Sequence, residues 1–194
     1  ELIRNIPETV RSQICRIAIN GTSATVLLCD AQGQPLLPPM MYDDRGDRTF
    51  FEQLHSVVPE GHCVLSASSS LVKLLTVQTQ REFANAQYFL HQADWLACLL
   101  HGQWGISDYH NSLKLGYNPA TESYPDWFAH PIFAKVRSLL PRIVTPGTII
   151  GTISAEVSSG LGLPEQCHIC AGTTDSIAAF LASGMTLPGD AVTS

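Results

Sequence analysis

The sequence predicts an α/β protein. Three observations carry this: aliphatic and β-branched runs at 16–20, 25–30 and 167–172, amphipathic stretches between and after them, and Gly-, Pro- or Ser-rich punctuation at the changeovers. The 194 residues are 45% apolar and 14% charged, which suits one large or two small domains with a sizeable core. With 11 basic against 17 acidic residues the formal net charge is -6, so the basic face that phosphate neutralisation needs is missing and nucleic acid is not an expected partner. No apolar run approaches the ~20 residues of a membrane span. The first ten residues lack the basic-then-apolar order of a secretory leader. Position 1 is Glu rather than Met, and a polypeptide that starts further upstream is expected.

Element by element, Leu2, Ile3, Ile6, Val10 and Ile14 fall at helical spacing and predict the end of a helix over 2–13. A strand follows at 16–20, a turn at 21–23, and a second strand at 25–30. Residues 31–34 read as a hairpin turn, and the proline-rich 35–42 as an edge strand or extended segment. A mixed charge cluster at 43–48 precedes a helix over 49–58. A serine-rich turn at 66–70 leads into a helix carrying Leu71, Lys73, Leu74 and Leu75. Residues 81–101 predict the longest helix, with Phe83, Ala86, Leu90, Ala93, Ala97 and Leu100 on one face and Gly102 ending it. The stretch 105–131 lacks periodicity and reads as an ordered loop region. A short amphipathic helix at 132–140, two strand pieces in 143–154 and a helix at 155–161 follow. The chain then reads as a strand at 167–172, a turn at 173–174 and a helix over 175–183.

Six cysteines occur, at 15, 29, 63, 98, 167 and 170. Cys15, Cys29 and Cys98 lie in or beside apolar runs and predict buried free thiols. Cys167 and Cys170 form a lone C-x-x-C inside a strand-like run, a weak zinc signal without a second pair. Seven scattered histidines show no metal-binding spacing, so no metal ligands are assigned. Asn20-Gly21-Thr22 fits a glycosylation sequon, which has no chemical meaning without export.

Three local features can carry chemistry. In the strand–turn–helix at 167–183 the ligand-binding position is the turn after the strand. There Gly172 permits close approach, Thr173 and Thr174 offer hydroxyls, and Asp175 opens the helix either as its N-cap or as a reactive carboxylate. The segment 20–25 offers small polar groups at another strand end, suited to a hydroxyl-rich ligand or to an ordinary hairpin turn. It lacks the lysine and glycine spacing of a P-loop. The segment 108–117 crowds Asp108, Tyr109, His110, Asn111 and Lys114 into one loop, where functional groups concentrate. Asp94, on an apolar helix face, predicts a hydrogen-bonded structural acid.

Taken in order, RIAINGTSATVLLCDAQGQPLLPPMMYDD (16–44), HQADWLACLLHG (91–102), SDYHNSLKLGY (107–117), LPRIVTPGTIIG (140–151) and AGTTDSIAAFLASG (171–184) resemble the FGGY family of carbohydrate kinases. Segments 20–25, 91–95 and 107–117 are similar to the D-ribulose and D-xylulose kinase branch of photosynthetic organisms. The resemblance implies a ribonuclease-H-like, actin-like fold with the active site in a cleft between two domains, and ATP with Mg2+ as phosphoryl donor. It implies Asp175 as the general base for the accepting hydroxyl, in a reaction that mostly needs positioning and charge neutralisation. It places Thr22, Ser23, Ala24, Lys114 and Thr174 around the sugar. Asp94 and Trp95 match a motif that the resemblance implies is structural.

The departures shape the expectation. The family's opening Asp-x-Gly-Thr-Ser hairpin has no counterpart before Arg16, and Gly21-Thr22-Ser23 is a different, later segment. Relatives continue beyond Ala191-Val192-Thr193-Ser194 into a second, adenine-binding domain. Residues 1–194 are therefore expected to form a single partial N-terminal domain, inactive toward ATP alone. An exposed sheet edge is expected to promote self-association. The implied location is the cytoplasm, or the plastid stroma in a plant. Alternative readings are a non-catalytic sugar-binding or interaction protein, and a small redox or zinc protein built on Cys167 and Cys170.

Overall fold

Pro7 splits the first amphipathic stretch. A 3-10 turn at Ile3–Asn5 and a one-turn helix α1 (Glu8–Arg11) stand where the spacing predicts one helix. These coordinates come from a computed structural model that describes residues 2–185, 187 and 189. The closing run 191–194 lies outside the described residues.

Strand β1 (Arg16–Gly21) and strand β2 (Val26–Cys29) form as their aliphatic runs predict. They do not pair with each other, so the turn between them is no hairpin. β2 pairs antiparallel with β3 (Tyr88–His91), Val26 opposite His91 and Cys29 opposite Tyr88. After the Asp30–Gln34 turn the chain runs back along β2 through isolated bridges of Cys29 to Pro35 and Val26 to Met40, as an extended segment. Helices α2 (Arg48–Leu54) and α3 (Ser70–Val77) start on the caps Asp47 and Ser69, whose side chains accept from Thr49 N and Val72 N.

The expected helix over 81–101 is corrected. It divides into a 3-10 turn (Arg81–Asn85), strand β3 and helix α4 (Gln92–His101). Asp94 sets the break, because its Oδ2 accepts the His91 N–H at 3.0 Å and His91 Nδ1 lies 3.1 Å away. This capping box fixes the first turn at Gln92 and frees Tyr88 to His91 to pair with β2. Asp94 is thus a buried, hydrogen-bonded acid.

Short elements follow: β4 (Ile106–Asp108), α5 (Tyr109–Ser112) and a 3-10 turn at Leu113–Leu115. The helix expected at 132–140 is instead two 3-10 turns, Pro131–Phe133 and Arg137–Leu139. Its buried residues Phe133, Val136 and Leu139 recur every three residues, the 3-10 period. Arg137 Nε and Nη2 hold the Phe128 and Ala129 carbonyls at 2.7 and 2.6 Å. β5 (Arg142–Val144) pairs parallel with β4, and β6 (Ile149–Thr152) leads to α6 (Ala155–Leu161).

Strand β7 (His168–Thr174) runs straight through the turn expected at 173–174, and α7 (Asp175–Ala182) begins at once. β7 is the middle strand of the sheet β1-β7-β6, parallel to β1 and antiparallel to β6. α4 packs across β1 and β7, and one core forms there from Ala97, Ile153, Leu163, Cys167 and Ile169. A larger core gathers α2, α3, β2, β3 and the 3-10 region, with Leu54, Leu71, Leu74, Leu75, Phe89, Phe133 and Val136. Cys29, Cys98, Cys167 and Cys170 are buried free thiols, but Cys15 is exposed: it precedes β1, an edge strand among the described residues, whose own Arg16, Ala18 and Asn20 are exposed.

Candidate active site

Two parallel strands deliver the site. β1 and β7 run in register at their carboxyl ends, Asn20 opposite Thr173 and Gly21 opposite Thr174. The next residues of each chain, Thr22-Ser23-Ala24 and Asp175, therefore leave the sheet side by side. This is the end of an α/β sheet where ligands bind. The pairing needs an irregularity, since a two-residue step in β1 from Ala18 to Asn20 faces a three-residue step in β7 from Cys170 to Thr173. Gly172 makes it possible, because a Cβ there would sit 1.7 Å from the Ile19 carbonyl oxygen.

Asp175 is not the helix cap. Thr174 is, its Oγ1 accepting from Ile177 N at 3.4 Å while the residue itself is buried. Asp175 is the first helical residue and is exposed. Its Oδ1 accepts from Ser176 N at 2.7 Å and Ser176 Oγ at 3.3 Å. Its Oδ2 has no hydrogen-bond partner among the described residues.

The opposite wall is a fixed turn. Gln92 Oε1 accepts from Thr22 N at 3.1 Å, Thr25 N donates to Thr22 O at 3.2 Å, and Gln92 N donates to Thr25 O at 3.0 Å. Ala24 sits in the left-handed region at φ 64°, fully buried. Its carbonyl accepts from Lys73 Nζ at 2.7 Å. Ser23 is half-buried, and its hydroxyl makes no hydrogen bond among the described residues.

The loop region 107–117 joins the same end. His110 Nδ1 lies 2.8 Å from Thr173 Oγ1. Asp108 caps α5, its Oδ1 accepting from His110 N and Asn111 N and its Oδ2 from Asn111 Nδ2 at 2.7 Å. Burial raises the Asp108 carboxyl above the usual range, and the Asn111 bonds pull against it. Burial holds the His110 imidazole below its ordinary value, so it is neutral at neutral pH. Lys114 is half-buried, with no hydrogen bond or ion pair among the described residues, and its charge is felt at Lys73.

Thr22, Ser23, Ala24, Thr174 and Asp175 thus share one sheet end. Lys114 is linked to this end by its charge, which is felt at Lys73, the residue that donates to the Ala24 carbonyl. Thr174 spends its hydroxyl on the helix. Gln92 and Lys73 hold the candidate site, and reading the sequence did not pick them out as site residues; His110, from the segment 108–117 that the sequence did set apart, meets Thr173. Gln92 carried one signal: it follows His91 in a segment already set apart. Among the described residues no group of three or more His, Cys, Asp or Glu is arranged to hold a metal ion. No helix there is long and apolar enough to cross a membrane.

Comparison with known proteins bears on the family and the fold. A xylulose kinase of Streptomyces coelicolor is 29% identical over 184 residues, 87% of this chain and 36% of its own length. A ribulokinase of Shouchella clausii is 31% identical over 119 residues, 57% of this chain and 20% of its own. The chain spans 20% to 40% of the curated relatives it matches. The crystal structure of a Rhodospirillum rubrum xylulose kinase aligns with a TM-score of 0.79 over 91% of this chain and 38% of that one, at 23% identity. That likeness shows the actin-like, ribonuclease-H-like fold. The model of the FGGY family of carbohydrate kinases, N-terminal domain, matches residues 2–182, and the chain belongs to that family.

Proposed function

We propose that this chain houses the sugar-accepting part of an ATP-dependent kinase acting on a ketopentose such as D-ribulose or D-xylulose. The observation that carries the reading is the parallel register that sets the Thr22-Ser23-Ala24 turn beside Asp175. One wall offers an unspent hydroxyl and a rigid backbone, the other an exposed carboxylate with a free oxygen. A sugar held by the first presents a hydroxyl to the second. Asp175 takes that hydroxyl proton as the oxygen attacks the γ-phosphorus, the bond to the β-phosphate oxygen breaks, and ADP leaves. Ser23, Thr22 and Lys114 line the sugar, Ala24, itself fully buried, shapes the turn that carries Ser23 rather than touching the ligand, and Thr174 holds the helix start that aims Asp175. ATP is the donor. Magnesium, when bound, would neutralise phosphate charge.

In this proposal residues 1–194 act as one partial sugar-binding domain. ATP turnover belongs to a longer polypeptide, working in the cytoplasm or a plastid stroma. Calorimetric titration of the chain with each pentulose, without nucleotide, tests the reading: saturable binding is expected, and none with either sugar overturns it.

Self-association belongs to the same proposal. β1 is an edge of its sheet among the described residues, with Arg16, Ala18 and Asn20 exposed. α7 beside it buries none of its residues, and Leu181 is 63% exposed. An unpaired edge next to apolar surface pairs readily with a second copy. Size-exclusion chromatography is expected to show larger species growing with concentration; a strictly monomeric species throughout contradicts this.

A further inference from the structure

Lys73 is out of place by composition. It stands on α3 between Val72 and Leu74, in a helix buried almost throughout, and is itself 0% exposed. A buried ammonium is costly unless its hydrogens find partners. Its partners are two backbone carbonyls from distant segments, Ala24 O at 2.7 Å and Met41 O at 2.5 Å. It makes no ion pair among the described residues. Met41 lies at the end of the extended segment whose Met40 bridges to Val26, two residues after Ala24. The ammonium therefore ties together the two ends of one loop pair.

One of those ends is strained. Ala24 is a fully buried non-glycine residue at φ 64°. Such a conformation persists only where its surroundings impose it, and such residues gather at functional sites. Gln92 fixes the Thr22 side of the turn, and Lys73 fixes the carbonyl of Ala24 itself. Burial lowers the Lys73 ammonium to about 8, with Asp44 and Asp43 raising it and Lys114 lowering it. Among the described residues two backbone carbonyls are all it hydrogen-bonds, so its ammonium acts on the backbone of the two segments it reaches.

We propose that Lys73 is a positioning residue that imposes the left-handed turn at Ala24 and so presents Ser23 to the ligand. The presentation to sugar rests on the function proposed above; the control of the turn does not. The test uses the 194-residue chain with alanine and lysine labelled for NMR, together with titration of D-ribulose and D-xylulose. In the unaltered chain a through-bond correlation from Lys73 Nζ to the Ala24 carbonyl carbon is expected, and its absence overturns the proposal whatever the variants do. Lys73→Met keeps an unbranched apolar stem and removes the donor. It is expected to move the Ala24 Cα and Cβ shifts away from left-handed values and to weaken sugar binding by about ten-fold, equivalent to about 1.4 kcal/mol. Adding Ala24→Gly, which makes the turn accessible without help, is expected to restore most of that affinity. A merely structural lysine gives no such rescue. Unmoved Ala24 shifts in folded Lys73→Met, or a loss that Ala24→Gly leaves intact, overturns the proposal. Shifts that move while the unaltered chain binds neither sugar uphold the turn control and overturn the sugar reading.

Discussion

Asp175→Asn is expected to lower phosphoryl transfer by about a hundred- to ten-thousand-fold, the usual contribution of a positioned general base. The measurement is steady-state turnover of a polypeptide joining this chain to a nucleotide-binding domain of the family. The carboxamide keeps the shape of the carboxylate, and its oxygen still accepts from Ser176 N, as Asp175 Oδ1 does at 2.7 Å. It cannot take the sugar proton. Helix stability is not expected to suffer, because the cap is Thr174. Unfolding free energy should change by no more than about 0.5 kcal/mol, as for an exposed substitution. Pentulose binding should stay within about three-fold, since the base acts in the transition state. Turnover within ten-fold of the unaltered protein would place the base elsewhere.

Gly172→Ala carries the largest expected loss of stability. Its new Cβ would sit 1.7 Å from the Ile19 oxygen and 2.8 Å from the Ile19 carbonyl carbon, both backbone atoms in the paired strand. No side chain can move aside, so β1 and β7 must separate where the register shifts. Overpacking of this kind costs about 3 kcal/mol. Denaturant titration should show the midpoint falling with little change in slope. Thr173 follows directly and Asp175 lies three residues on, so the sheet end that gathers the site should loosen as well. A variant as stable as the parent would mean that the β1–β7 pairing differs from the one described.

The sequence made the ends of β1 and β7 visible, because strand and turn residues meet there and glycines mark the close approach. It also singled out Asp175 and Ser23. What it hid depends on distance along the chain. Nothing local says that residues 26–29 recruit 88–91, so the periodicity of 81–101 read as one helix until Asp94 capped it at Gln92. Lys73 read only as one residue of the helix after the serine-rich turn, because its partners lie 49 and 32 residues away. Asp175 read as a possible cap because Asp and Thr both cap well, and β7 had to extend to Thr174 before the choice was made. At 132–140 the buried residues repeat every three positions, a spacing helical reading absorbs without distinguishing 3-10 from α.

The central claim is that the sugar site lies within this chain, between the Ser23 turn and Asp175. Calorimetric titration of D-ribulose and D-xylulose into the chain and into Ser23→Ala tests it most directly. The account predicts saturable binding of at least one pentulose, weakened about ten-fold when the Ser23 hydroxyl is removed, the scale of one hydrogen bond. Binding that Ser23→Ala leaves unchanged, or no binding of either sugar, would contradict it.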